Sequence, residues 1–236
     1  MKLAVCLHGG AVARAALPLH PADRALVALG RRLGMEPIAI ELLAASGLAP
    51  RAVNDAAPAG LECAVRVVDE ALATADAPAT GLVTERVLRE LKPDLIAFVG
   101  AADPEGAADV PAVVAFRMGA AYVPGVFAVA AAPDSAPCAF TARAWRGAAA
   151  VTLALPRGAV VEVDLSGAPA AAAPAVAAGQ PDEPGRTPPI RVLTLADLSL
   201  DATLVRRRDD LRGVVEPAAR PLVTTKSSTS LAALLR

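Results

Sequence analysis

The sequence predicts an α/β protein of three layers, in which a mostly parallel sheet carries antiparallel strands at its edge. Short continuous apolar runs such as Leu95–Val99 are typical of strands buried on both faces of a parallel sheet. In the first half of the chain these runs alternate with amphipathic helical segments, which indicates parallel strands joined by right-handed crossovers. After Gly119 the strands follow one another with only turn residues between them, which indicates antiparallel hairpins.

The first half yields four strands and three helices in alternation. Pro21 suits the first turn of a helix, and Asp23 places a negative charge where it favours the helix amino end. Lys92-Pro93-Asp94 ends the second helix, because proline has no amide hydrogen and restricts the residue before it. The predicted strands cover residues 3–7, 36–42, 63–68 and 95–99, the predicted helices 21–33, 76–91 and 110–119, and a weaker helical pattern 49–57.

The second half yields five strands, a linker and a tail. The predicted strands cover residues 122–130, 139–145, 149–155, 159–165 and 190–195. Residues 167–189 are rich in Ala and Pro and cannot bury a core. The tail carries the basic run Arg206–Arg208 and ends in a short serine-capped helix. We therefore predict an α/β nucleotide-binding-type domain with edge hairpins at 1–166, a loop or linker at 167–189, and a closing segment with an extended C-terminal, partner-binding arm at 190–236.

Composition and charge exclude several classes of protein. Hydrophobic residues make up 55% of the chain but aromatic residues only 3%, so we expect a core of Ala, Val and Leu. A net charge of −1 gives no reason to expect nucleic acid or an anionic membrane as partner. Three scattered cysteines argue against a disulfide framework and a zinc site. No apolar stretch approaches the roughly 18 residues that span a bilayer, so we expect a cytoplasmic protein without membrane insertion.

The loop after Leu95–Val99 is the first candidate for a site. Ligands of open α/β sheets bind outside the carboxyl ends of the strands, where a loop leads into a helix. Gly100 opens such a loop, and a helix follows from about Asp109. No Ser-His-Asp triad, phosphate-binding glycine motif or metal-ligand spacing is visible, so we predict no catalytic residues and no metal site.

Four segments of the chain resemble the beta subunit of electron transfer flavoproteins. These segments occur in the family's order. The first two are the opening strand with its glycine-rich exit and a helix with the pattern His-Pro-x-Asp. The last two are an Ala-Asp-x-x-Ala-Thr helix with its following strand and a closing Val-x-Thr-Leu-x-Asp-Leu segment. The four segments cover Leu3–Gly10, His20–Gly34, Ala75–Asp103 and Ile190–Asp201. His20 stands where the family has asparagine.

The resemblance implies a fold, a cofactor and partners. The fold is of the adenine nucleotide alpha hydrolase-like type. The beta subunit forms a heterodimer with an alpha subunit, and the pair carries FAD, which takes electrons from a dehydrogenase. The beta subunit binds AMP in the common form and a second FAD in bifurcating members. The implied nucleotide pocket involves Cys6, His8, His20, Asp23, Leu42, Gly100, Ala101, Ala102, Asp103, Gly106 and Asp109.

The chain departs from this family's pattern at two places. The family holds its phosphates with an Asp-(Thr/Asn)-x-Gln stretch, which is replaced here by residues 107–111. Pro111 has no amide hydrogen to donate, and Asp109 brings a negative charge to a position that would face a phosphate. The family's partner-recognition segment is replaced by the Ala/Pro-rich residues 167–189. These departures indicate a divergent paralogue.

Alternative interpretations remain open for single residues and for the whole chain. His8 is either a ligand contact or a polar loop residue; Asp103 orients a ribose hydroxyl or fixes the turn before Pro104. Asp23 is either a pocket residue or a charge that stabilises its helix. The whole chain is an electron carrier subunit without catalytic residues, a stand-alone adenine-nucleotide-binding module, or a structural subunit whose pocket has decayed.

Overall fold

A computed structural model describes residues 1–7, 21–43, 61–100, 109–134, 136–164 and 188–205. Within these ranges nine strands form a single mixed sheet, in the order β7-β6-β5-β8-β4-β1-β2-β3-β9. The strands are β1 (Lys2–Cys6), β2 (Glu36–Leu43), β3 (Cys63–Val68), β4 (Leu95–Val99), β5 (Tyr122–Ala131), β6 (Phe140–Arg146), β7 (Ala149–Leu155), β8 (Ala159–Val163) and β9 (Ile190–Leu193).

The helices lie between the parallel strands and after β9. They are α1 (Pro21–Arg32), a 3₁₀ helix (Glu70–Thr74), α2 (Ala77–Leu91), α3 (Val110–Met118) and α4 (Ala202–Val205). In the sheet, each pair of neighbours among β5, β8, β4, β1, β2, β3 and β9 is parallel. β6 is antiparallel to both of its neighbours, β5 and β7. The predicted three-layer α/β fold with a mostly parallel sheet and antiparallel edge strands is confirmed.

Side-chain hydrogen bonds and left-handed residues set the ends of α2 and α3. The Asp76 carboxylate accepts a hydrogen bond from the Ala79 amide at 2.9 Å, which caps the start of α2. Lys92 ends α2 in the left-handed conformation with a φ of 49°. Gly119, with a φ of 64°, ends α3 in the same way, and glycine adopts that conformation without steric cost.

The core is divided between the two faces of the sheet. On one face, α2, α3, the 3₁₀ helix and the segment after β9 cover buried residues such as Ile96 and Val67. On the other face, α1 packs through Leu26 and Val27 against Leu3 and the adjacent strands. Successive residues of a strand point to opposite faces, which is why the central strands appear in the sequence as continuous apolar runs.

A bend in β5 folds the β6–β7 hairpin over the α1 face of the sheet. Leu155 and Ala159 are four residues apart and so lie within about 14 Å. Leu155 pairs with Phe140, which pairs with Ala131 at the end of β5, whereas Ala159 precedes Val160, the partner of Tyr122 at the start of β5. A straight strand of that length would separate them by about 30 Å. The register of β5 shifts near Gly125, whose φ is +66°. Phe140 of the hairpin is consequently buried in the same cluster as α1.

Several predicted segments lie outside the described residues. These are the helical pattern at 49–57, the Ala/Pro-rich residues 167–187, and the C-terminal arm from residue 206 onward. The 3₁₀ helix and the four-residue α4 were not predicted from the sequence. Among the described helices, none combines the length and the apolar character needed to cross a membrane.

Candidate functional site

The carboxyl ends of β1, β2 and β4 meet at one edge of the sheet. Cys6 is the register partner of both Ile40 in β2 and Phe98 in β4. Leu42 lies two residues beyond the first of these partners, and Gly100 two residues beyond the second. Three of the predicted pocket residues, Cys6, Leu42 and Gly100, are therefore brought to the same edge.

Asp23 lies in the first turn of α1, where it is only 2% exposed. Burial raises the pKa of the Cys6 thiol, and the negative charge of Asp23 raises it further. That electrostatic effect requires Asp23 to be close to the end of β1. Asp23 is thus a charge in the first turn of a helix and lies close to Cys6, and its role as a pocket residue stays a prediction.

The remaining predicted pocket residues divide between α3 and undescribed parts of the chain. Asp109 is the residue before α3, and it is exposed. His8, His20, Ala101, Ala102, Asp103 and Gly106 lie outside the described residues, so their assignment to the pocket stays a prediction.

The amino end of α3 offers fewer hydrogen-bond donors than an ordinary helix. The Asp109 side chain makes no capping hydrogen bond to α3. Pro111 occupies the first turn of the helix, and proline has no amide hydrogen. One of the amide groups that commonly hold an anion at a helix amino end is therefore missing here.

A second carboxylate, Glu162 of β8, lies beside the start of the same loop. Its Oε1 atom is 3.3 Å from the place that a Cβ atom on Gly100 would occupy. Its Oε2 atom accepts a hydrogen bond from the Tyr122 hydroxyl. Burial raises the pKa of Tyr122, as do the hydrogen bond and charge of Glu162 and, more weakly, the charge of Asp109, whereas the charge of Arg146 has a smaller, lowering effect on this pKa. Asp109, Tyr122 and Glu162 therefore form one acidic cluster. Of these three residues, the sequence had predicted only Asp109 as a residue of the site.

A buried ion pair lies near the carboxyl ends of β2 and β3. Glu41 and Arg66 are register partners, and the Arg66 guanidinium donates from Nε at 2.9 Å and from Nη2 at 2.8 Å to Oε2 of Glu41. The two residues are 9% and 4% exposed. Arg66 is the single charge in β3, and Glu41 is the single charge in β2 after Glu36 at the start of the strand. Since buried charges are almost always paired, these opposite charges could have been predicted as partners.

The described residues at this edge do not fit a nucleotide phosphate. Two carboxylates, Asp109 and Glu162, lie where the helix amino end would otherwise attract an anion, and Pro111 removes an amide donor. The sequence from Gly100 to Pro111 contains no Lys or Arg. In the described part of the chain no group of three or more His, Cys, Asp or Glu side chains could hold a metal ion that would neutralise this charge.

Comparison with known proteins identifies the same family as the sequence segments. A model of the electron transfer flavoprotein domain matches residues 10–198, which is most of the chain. No curated protein matches the chain.

Proposed function

Because the chain belongs to the electron transfer flavoprotein family, we propose that it is the beta-type subunit of a heterodimeric electron transfer flavoprotein. Proteins of this family carry electrons between other proteins rather than catalyse a reaction themselves. In the proposed heterodimer, an alpha subunit and this chain together hold FAD, and a dehydrogenase supplies the electrons. FAD, when bound, supplies the redox chemistry, and the protein supplies its position and electrostatic surroundings.

The segment around β9 is the observation that carries the beta-type assignment. The Val-x-Thr-Leu-x-Asp-Leu pattern is the family's closing segment for the beta subunit, and here it forms β9 and the turn after it. Leu193, Leu195 and Leu198 are buried in the core cluster of the α2 face. The Asp197 carboxylate accepts hydrogen bonds from the amide and the hydroxyl of Thr194, both at 2.7 Å. The residues of the pattern thus have defined structural roles.

The electron donor is proposed to be a specialised dehydrogenase rather than the common acyl-CoA dehydrogenases. The family's partner-recognition segment is replaced by Ala- and Pro-rich sequence at 167–189. This segment contains no aromatic residue and a single arginine, Arg186, whereas aromatic and arginine side chains usually dominate binding at protein interfaces. Efficient capture of acyl-CoA dehydrogenases by the heterodimer would contradict this part of the proposal.

The acidic cluster favours one of the two alternative functions over the other. A stand-alone adenine-nucleotide-binding module needs a site for the phosphates, which the carboxylates of Asp109 and Glu162 oppose. A structural subunit with a decayed pocket needs no such site. The structural subunit is therefore the second candidate function.

Co-expression with an alpha subunit tests the proposed function. We expect a complex with one copy of each chain in gel filtration, with the visible absorbance of a protein-bound flavin that dithionite bleaches. The alpha subunit expressed without this chain is the control for flavin bound by the partner alone. A chain that stays apart from the alpha subunit contradicts the proposal, and a colourless complex supports the structural alternative.

A further inference from the structure

We propose that the site at the amino end of α3 excludes nucleotide phosphates, and that Glu162 together with Asp109 is responsible. The chain then contributes neither AMP nor a second FAD to a heterodimer. The statement about the heterodimer rests on the proposed function, whereas the exclusion of phosphates by the chain itself does not.

The Glu162 carboxylate accepts one hydrogen bond and lies close to the Gly100 backbone. The Tyr122 hydroxyl holds Oε2 through a hydrogen bond. On the other side, Oε1 lies within 3.3 Å of the Cβ position of Gly100, and the Gly100 amide donates to the Val163 carbonyl at 2.8 Å. The carboxylate is thereby held beside Gly100, the last described residue before Asp109, which precedes α3.

The signs and sizes of the charges decide against an anion. A helix amino end carries an effective charge of about +0.5. The full negative charges of Asp109 and Glu162 oppose this positive charge, and Pro111 removes one of the amide donors. The positive charge of Arg146 also acts on Tyr122, but its effect there is smaller than that of either carboxylate. An AMP phosphate, with a charge approaching −2 near neutral pH, therefore meets more negative than positive charge.

Binding of AMP and of adenosine to the purified chain tests the exclusion. The chain is denatured and the released nucleotides are measured by chromatography, and binding of each ligand to the native chain is measured by calorimetry. Adenosine is the matched ligand because it has the same base and sugar but no phosphate. We expect no stoichiometric release of AMP, and weaker binding of AMP than of adenosine.

Two conservative variants then test the assignment to residues. In the double variant Asp109→Asn and Glu162→Gln, we expect AMP to bind about tenfold more tightly than to the parent chain, while adenosine binding is unchanged. Asp109→Asn alone, at an exposed position, should give part of this gain and guards against a folding defect in the double variant. Glu36→Gln, at the opposite edge of the sheet, is the control and should leave both affinities unchanged.

Each outcome bears on the proposal. One AMP released per parent chain, or AMP binding to the parent chain at least as tightly as adenosine, overturns it. A double variant that excludes AMP as strongly as the parent chain overturns the assignment to Asp109 and Glu162. These measurements use the chain alone, so they test the exclusion of phosphates even if no heterodimer forms. Failure of the proposed function is recognised separately, in the co-expression with an alpha subunit.

Discussion

The Arg66 guanidinium and the Glu41 carboxylate form a buried pair across β2 and β3, with Nη2 and Oε2 2.8 Å apart. We expect Arg66→Met to lower the free energy of unfolding by about 3–5 kcal/mol, because it leaves the Glu41 charge buried without its partner. The double variant Glu41→Leu and Arg66→Met should lie close to the parent chain, since replacing both charges with apolar groups is often neutral. Urea denaturation measures both differences.

An exposed ion pair serves as the control for this prediction. Arg191 and Glu90 are 3.1 Å apart, with side chains that are 58% and 41% exposed. Arg191→Met should cost less than about 1 kcal/mol, because solvent screens the pair. Equal losses from Arg66→Met and Arg191→Met would show that burial does not govern the energetics of the Glu41 pair.

The sequence was sufficient to predict the central strands and helices. Runs such as Leu95–Val99 and Cys63–Val68 have the bounds that the structure shows, because a parallel strand buried on both faces leaves a continuous apolar pattern. The Asp76 cap likewise follows from the residue type and its position before Pro78. These features depend on local chemistry, which a single sequence contains.

Features that depend on distant parts of the chain could not be predicted. The insertion of β8 between β4 and β5, and the bend at Gly125, depend on which strands meet in space. The acidic cluster was recognised only through Asp109, because Glu162 and Tyr122 are 40 residues apart in the sequence. A single charge in the run Ala159–Val163 was the only local sign that this strand contributes a polar group to the site.

The close contact between α2 and α3 predicts an unusual effect of alanine. A Cβ atom on Gly81 would lie 2.5 Å from Cγ1 and 3.0 Å from Cβ of Val113. Alanine normally stabilises a helix relative to glycine by about 1 kcal/mol, but here the clash should dominate, and Gly81→Ala should destabilise the chain by about 1–3 kcal/mol. Adding Val113→Ala should restore most of the loss in thermal denaturation. A stabilising Gly81→Ala would show that the two helices separate readily.

The two helix starts predict different costs for losing an aspartate. The Asp76 carboxylate accepts from the Ala79 amide at 2.9 Å, whereas Asp109 makes no such bond to α3. Asp76→Ala should therefore cost about 1 kcal/mol in urea denaturation. Asp76→Asn retains an acceptor and should cost less, and Asp109→Ala should cost little. Equal losses at both positions would argue against side-chain capping as the cause.

The Cys6 thiol predicts a loss of stability at alkaline pH. Burial and the nearby Asp23 charge raise its pKa above the usual value of 9.0, so the folded chain keeps a proton that the unfolded chain releases. Between pH 9 and 10 the free energy of unfolding should therefore fall by about 1 kcal/mol on account of this thiol, and the slope should approach about 1.4 kcal/mol per pH unit above pH 10. Cys6→Ala should flatten that slope, whereas Cys138→Ala, at a partly exposed position, serves as control. An unchanged slope in Cys6→Ala would contradict the prediction.

Tyr122 is the only tyrosine of the chain, so its ionisation can be followed directly by the near-ultraviolet absorbance of tyrosinate. Burial raises its pKa above the usual value of 10.0, and the hydrogen bond to Glu162 and the charges of Glu162 and Asp109 raise it further. The native chain should therefore show no tyrosinate at a pH slightly above 10, where the urea-unfolded chain already does. Stability should also decline in that range, since only the unfolded state has lost the proton.

Substitution of the carboxylates separates the causes of the Tyr122 shift. Glu162→Gln removes the charge but keeps an acceptor for the hydroxyl, so the titration should move part of the way toward the value of the unfolded chain. Asp109→Asn should produce a smaller movement in the same direction, because its charge is a weaker contribution. Glu36→Gln should produce none. If neither Glu162→Gln nor Asp109→Asn moves the titration, these carboxylates do not act on Tyr122, and the acidic cluster at the amino end of α3 would have to be abandoned along with the exclusion of phosphates that depends on it.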